Sequence, residues 1–356
     1  MTKNDLQAPA VTRRRRKRGL TIEPYVGFGT SSRILLSGRV LKDKGPILSS
    51  PGDTRFRNLR NTLKRFATAE VPGARVLARY AGAEVEGHSD NEGYFTLEIE
   101  GNEAQALPGG PWRHVELALL DARRGGGVAA TAKAEVLVPP ATSRFGVISD
   151  IDDTVITTHV TSTLQMLATV LLSNAHVRLP FEGIASFYRA LHQGAQGDEG
   201  NPIFYVSNGP WNLYGLLVEF FRLNGIPLGP LFLRDFGPAL LFGRKRQPSQ
   251  KLFHIERILN TYESLPFVLI GDSGERDPEI YAETVKRHPE RIRAIYIRSV
   301  DKRRARLDAI DALAEAIRPT RTQFVLVPDS HFAAVHAAGE GLIDGAALAS
   351  IRDDKG

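Results

Sequence analysis

The apolar run Phe145-Gly146-Val147-Ile148-Ser149 passes straight into Asp150-Ile151-Asp152-Asp153-Thr154. Two acidic side chains, two positions apart, therefore close what reads as a buried strand. In an open parallel sheet, ligands bind in the crevice beyond the carboxyl ends of the strands. A D-x-D-x-T run in that position offers a carboxylate nucleophile, a second carboxyl for proton transfer and a hydroxyl. Its oxygens are also half of a Mg2+ site, because that ion takes hard oxygen ligands.

The rest of the chain after Ser143 suits such a sheet. Apolar strand runs at Phe145 to Ser149, Ile203 to Val206, Phe267 to Ile270, Ile292 to Ile297 and Phe324 to Val327 alternate with helical stretches, with a shorter run at Leu231 to Leu233. This alternation predicts a parallel α/β sheet. Phe181, Ile184, Phe187, Tyr188 and Leu191 share one helical face, as do Trp211, Tyr214, Leu217, Val218 and Phe221. Both faces read as core packed on the sheet rather than as ligand platforms.

Before Ser143 the pattern has period two. Arg33 to Leu41, Arg75 to Tyr80, Tyr94 to Ile99, Val115 to Leu120 and Ala134 to Val138 read as strands, and Ser89 to Gly93 as a turn. Asn58 to Phe66 reads as a basic helix. The expected organisation is a tail over 1–20, a small β-sandwich-like unit over 21–141 and a catalytic α/β unit over 142–350, with Pro139 to Thr142 as linker. His88 and His114 are isolated and carry no evident chemistry.

Composition narrows the partners. Basic residues number 46 and acidic ones 40, but Arg13 to Arg18 holds six of the basic residues in one run. The remainder is balanced, so the positive charge belongs to a tail. Such a run stays solvated or meets anionic lipid, and without interleaved aromatics it does not specify a nucleic acid. There is no cysteine, hence no disulfide and no thiolate nucleophile. No apolar stretch approaches the ~20 residues that span a bilayer. A cytoplasmic protein is expected.

Further strand ends carry matching chemistry. The second ends in Tyr205-Val206-Ser207-Asn208-Gly209, a helix start at Ser249-Gln250 delivers Lys251, and a later strand ends in Gly271-Asp272-Ser273-Gly274-Glu275-Arg276-Asp277. Phosphate esters repel nucleophiles, so their cleavage is mostly positioning and charge neutralisation. Asp277 before Pro278 is read either as a helix N-cap, with Pro at the first helical position, or as serving the metal shell indirectly.

Taken in order, these motifs resemble the four-motif signature of the haloacid dehalogenase superfamily. The resemblance implies that Asp150 is the nucleophile and that Asp152 protonates the leaving alkoxide and then activates water. It implies a Mg2+ held by Asp150, Asp152 (through its carbonyl) and Asp272, and phosphate contacts from Thr154, Ser207, Asn208 and Lys251. The implied fold is a Rossmannoid parallel sheet with a minimal cap, preceded by the β-sandwich-like unit.

The resemblance narrows further. Ile148 to Val155, Tyr205 to Trp211, Leu233-Arg234-Asp235, Leu269 to Gly274 and Asp277 to Tyr281 are similar to the actin-patch phosphatidate phosphatase family, which shares its catalytic motif with the lipins. Pro24 to Thr30 and Gly38 to Leu41 resemble its bacterial members, so a bacterial member is expected. Lipins carry Gly where this chain has Asp153; the actin-patch group is acidic there. The family implies hydrolysis of phosphatidate to diacylglycerol. Only 52 residues separate Thr154 from Ser207, leaving little for a bulky cap and an open crevice suited to lipid or phosphoprotein. Arg234, Arg244-Lys245-Arg246 and Lys302-Arg303-Arg304 follow candidate strands and are expected to form a cationic rim for an anionic phospholipid. Leu164 to Leu172 is read as a helix buried on the sheet or as a segment dipping into the lipid interface. The rival readings are a phosphatase for phosphoproteins or nucleotides and a non-catalytic lipid-surface adaptor.

Overall fold

The computed structural model describes residues 19–42, 70–102, 110–121, 127–151, 183–234 and 250–353. Asp152, Thr154, Arg244, Lys245, Arg246, the basic tail, Asn58 to Phe66 and Leu164 to Leu172 lie outside the described residues.

Gly146–Asp150 (β9) is buried along its whole length. A strand covered on both faces must be apolar throughout, which is why its sequence shows no alternation. Ile203–Pro210 (β10), Leu231–Arg234 (β11), Phe267–Asp272 (β12), Ile292–Arg298 (β13) and Gln323–Val327 (β14) join it in the order β11-β10-β9-β12-β13-β14. Every neighbouring pair is parallel. The chain travels one way from β9 through β10 and β11, then returns to continue through β12. The place where the order reverses lies between β9 and β12, where an open α/β sheet presents its crevice.

Helices cover both faces. Ile184–Gln193 (α1) and Tyr214–Leu223 (α2) pack with Ser330–Gly339 (α6) and Ala347–Asp353 (α7) against Val147, Tyr205 and Val268. Gln250–Thr261 (α3), Asp277–Arg287 (α4) and Arg304–Ile317 (α5) pack against Ile148, Phe204 and Leu269 on the other face. Adjacent strand residues thus serve opposite layers, as the pleat requires. The expected core faces of Ile184, Phe187, Tyr188 and Leu191 are buried. Trp211 departs from expectation: it sits in the short turn Trp211–Leu213 before α2 and stacks on Tyr25, with ring centroids 4.5 Å apart.

The earlier strands are Leu20–Pro24 (β1), Gly27–Gly29 (β2), Arg33–Lys42 (β3), Arg75–Tyr80 (β4), Ala83–His88 (β5), Tyr94–Glu100 (β6), Trp112–Asp121 (β7) and Gly127–Leu137 (β8). They form one continuous sheet, ordered β1-β3-β2-β8-β7-β4-β5 with β6 on β3, rather than two separately bonded layers. The sheet curls until Gly87 of β5 meets the side chain of Leu97 of β6, leaving no room for a Cβ at Gly87. Ile34, Leu36, Val76, Leu97 and Leu117 fill its interior. The molecule is accordingly a mixed α/β fold with two β-sheets and several helices.

Segment 24–30 fastens the two sheets. Phe28 packs edge-on to Phe204 and Phe232 on one face of the parallel sheet, while Tyr25 enters the core on the other. The Tyr214 hydroxyl accepts from the Val26 N–H at 2.8 Å, and the Tyr262 hydroxyl accepts from the Gly29 N–H at 3.1 Å.

Candidate active site

Asp150 ends β9 and Asp272 ends β12, the two strands beside the reversal, and both are fully buried. Parallel register sets Val206 opposite Asp150, so Ser207 follows one residue beyond it on the adjoining strand. The start of α3 brings Lys251 to the same edge. Its Nζ donates to Asp150 Oδ1 at 2.8 Å, Asp277 Oδ1 at 2.5 Å and Glu275 Oε2 at 3.4 Å. Asp277 Oδ2 accepts from the Asp272 N–H at 3.2 Å.

The expected N-cap role of Asp277 is corrected by this arrangement. Arg276 occupies the N-cap position, Asp277 is the first residue of α4, and its carboxylate leaves the helix for Lys251. A buried ammonium is a stronger claim on a carboxylate than a solvated helix end. Gly271 makes room for it: a Cβ there would lie 2.7 Å from the Asp277 Cβ and 2.8 Å from its Cγ.

Charge sets the properties of the cluster. Burial opposes the Lys251 charge, but Asp150 and Asp277 outweigh it and hold the ammonium well above its ordinary pKa. Asp272 is pushed up to about 7, first by burial and then by the charge of Asp277, against the N–H groups of Glu275 and Gly274 that donate to its Oδ1. Its Oδ2 is buried with no hydrogen-bond partner among the described residues. Asp150, Glu275 and Asp277 each present a carboxylate oxygen within 4.8 Å of the others and form a group able to hold a divalent cation. Lys251 bonds to all three, so Glu275 and Asp277 enter a cluster for which the motif had suggested Asp150, Asp152 and Asp272.

Two further residues complete the pocket edge. Asn208 Nδ2 donates to Glu275 Oε2 at 2.8 Å, so the amide engages the acidic cluster. The Ser207 hydroxyl accepts from the Gly209 N–H at 2.8 Å. Arg306, which motif reading passes over, clamps the loop after β12: it donates to Ser273 O at 2.8 Å and Glu275 O at 2.6 Å and pairs with Glu279. Its only sequence signal is its place two residues beyond the Lys302 to Arg304 run. Arg234 closes β11, half-buried at the same edge of the sheet.

These positions coincide with a recognised pattern. Residues 145–299 match the model of the phosphatidate phosphatase APP1 catalytic domain. The chain is 35% identical over 155 residues to phosphatidate phosphatase APP1 of Saccharomyces cerevisiae, covering 43% of this chain and 26% of that protein. It is 33% identical over 172 residues to an uncharacterised protein of Schizosaccharomyces pombe, covering 47% of this chain and 27% of that protein. The chain thus spans about a quarter of the length of these relatives. A carbohydrate acetylesterase from Xanthomonas citri aligns at TM-score 0.31 and 10% identity, over 90% of this chain and 75% of that one, too low to relate the molecules. The expectation of a specifically bacterial member is corrected: the relatives are fungal, and the Pro24 to Thr30 and Gly38 to Leu41 strings behind it fall outside residues 145–299. The similarity is to an APP1-like phosphatase domain. No helix among the described residues is long and apolar enough to cross a membrane.

Proposed function

We propose that this protein is a Mg2+-dependent phosphatidate phosphatase with a haloacid dehalogenase-like catalytic unit over 142–350, releasing diacylglycerol and phosphate. The convergence of Lys251 on Asp150 at the carboxyl edge of the parallel sheet carries this assignment. The match of residues 145–299 to the APP1 catalytic-domain model and the similarity to the yeast phosphatase over 155 residues support it. In this reading the β-rich unit covers 21–141, and the protein works as a peripheral protein at the inner membrane face. The tail Arg13 to Arg18 and the rim residues Arg234, Arg244, Lys245 and Arg246 draw it to anionic phospholipid.

Asp150 attacks phosphorus; as the bond to its carboxylate oxygen forms, the bond to the ester oxygen breaks. Asp152 gives a proton to the departing alkoxide, which leaves as the alcohol. Asp152 then takes a proton from water, whose oxygen attacks the phosphorus of the acyl phosphate, releasing phosphate and restoring Asp150. Lys251, Ser207, Asn208 and Thr154 hold the phosphoryl oxygens, the ammonium supplying a fixed positive charge.

The donor set fits a hard divalent cation. Three carboxylates share one ammonium here, and the buried Asp272 Oδ2 lacks a hydrogen-bond partner among the described residues. Asp150, Asp272 and the Asp152 carbonyl would hold Mg2+, with Glu275 and Asp277 beside them. When bound, the ion neutralises charge that otherwise repels the phosphate ester from the nucleophile.

The test is phosphate release from phosphatidate in mixed micelles with Mg2+, with and without a chelator. Turnover that vanishes in Asp150→Asn and on chelation is expected. Release from small phosphate esters but none from phosphatidate would remove the lipid assignment.

A further inference from the structure

A cleft of about 450 Å³ lies between the two sheets. Its volume is within the roughly 300–1,000 Å³ of small-molecule sites. One wall is the outer face of β3 and β6, where Ser37 and Thr96 pair their hydroxyls at 3.1 Å. The opposite wall is β11, the edge strand of the parallel sheet, together with α3. The Tyr25–Trp211 stack lines one end, and Phe28, Phe232 and His254 lie towards the other.

Two elements connect this cleft to the chemistry. Helix α3 turns Lys251 towards Asp150 while Gln250, Phe253, His254 and Arg257, spaced at helical intervals, line the cleft. The segment carrying Ser207 reaches the cleft four residues later with Trp211. Phe253 is 58% exposed, a large apolar group left in solvent two residues from the ammonium. The cleft thus borders, through Gln250 and Trp211, the two elements that carry Lys251 and Ser207, and its walls combine aromatic rings with the polar Ser37, Asp90, Thr96 and Arg257.

Accepting the phosphatase reading, we infer that this cleft is a subsite for the apolar chain of an amphiphilic phosphate monoester, with the first sheet supplying one of its walls. The first sheet thereby becomes part of substrate recognition.

A series of soluble n-alkyl phosphates, kept below their micellar concentrations, tests this. Each methylene entering the cleft should raise kcat/KM about fourfold (~0.8 kcal/mol) until the cleft is full. Ser37→Trp and Thr96→Trp fill the cleft from the first sheet, away from Lys251, and should flatten that climb while leaving kcat/KM for methyl phosphate unchanged. A dibrominated alkyl phosphonate, which is not hydrolysed, should quench the fluorescence of Trp211 in the Trp112→Phe background, giving a readout free of turnover. A flat series in the parent protein, or a climb that survives both filled variants, overturns the subsite. Absence of release from every ester, with quenching intact, would instead sink the phosphatase reading and leave the chain site standing.

Discussion

Replacing Lys251 by Met isolates what the ammonium does for the fold. Lys251 is almost completely buried, and its 2.5 and 2.8 Å contacts are to Asp277 and Asp150, both fully buried. Removing one partner of a buried pair typically costs about 3–5 kcal/mol, because the surviving charges stay desolvated and unopposed. Here two carboxylates lose their closest cation, so the upper half of that range is expected. Asp277→Asn is milder, about 1–3 kcal/mol, since Lys251 keeps Asp150. The double variant Lys251→Met with Asp277→Asn removes the ammonium and the charge of one opposing carboxylate together. It should lose less stability than the two single changes combined, by about 1–3 kcal/mol of coupling. Urea unfolding in chelator, followed by circular dichroism and by fluorescence, measures all variants. Turnover of a soluble ester should be lost in both variants lacking Lys251. Additive losses, within about 0.5 kcal/mol, would show that Lys251 does not hold the carboxylates together.

Gly271→Ala sets a methyl group against the Asp277 Cβ and Cγ. Overpacking of about 1–3 kcal/mol is expected, together with at least about tenfold lower kcat on a soluble ester as Asp277 is pushed off Lys251; unchanged kcat would refute the close approach. Tyr214→Phe and Tyr262→Phe each take the acceptor from a backbone N–H of segment 24–30 and should cost about 1–3 kcal/mol in urea unfolding. The bonds lie on different faces of the parallel sheet, so the losses should add. His254 is lowered from 6.5 to about 4, chiefly by burial and then by Arg257. It stays neutral in the fold while the unfolded chain takes up a proton below about 6.5, so its stabilising contribution is lost as pH falls from about 6.5 to 4. The total is about 3–4 kcal/mol at most; His254→Asn should flatten that part of the unfolding-midpoint profile, and an unaltered slope would refute the burial argument.

The parallel sheet was legible because strands covered on both faces need uninterrupted apolar runs, and Phe145 to Ser149 or Phe267 to Ile270 admit few alternatives. The curled sheet was legible only where one face was strongly apolar. Tyr94–Glu100 buries Phe95, Leu97 and Ile99 in strict alternation, a pattern the sequence shows directly. Ala83–His88 carries no such signal, because none of its side chains is fully buried. Its glutamates instead face cross-strand arginines, Glu86 to Arg75 at 2.6 Å and Glu84 to Arg79 at 2.5 Å. Pairing of that kind is invisible until the register of two strands is known.

The site divides along the same line between local and distant causes. Asp150, Asp272 and Lys251 could be found because each stands where a local pattern stops, at a strand end or a helix start. Asp277 stays open between a cap and the metal shell in the sequence, since Asp-Pro at a helix start satisfies the local chemistry of a cap equally well. What decides its role is an ammonium 26 residues earlier in the chain. The run after β13 makes the point with like residues. Lys302-Arg303-Arg304 reads as one cationic rim, and Arg303 and Arg304 keep 83% and 92% of their side chains in solvent. Arg306, two positions on, keeps 16%, because the turn of α5 points it at the carbonyls of Ser273 and Glu275 and at Glu279. A charged side chain announces its presence in the sequence, but whether it steers a ligand from solvent or fixes a catalytic loop depends on which carboxylates and carbonyls the tertiary fold carries to it.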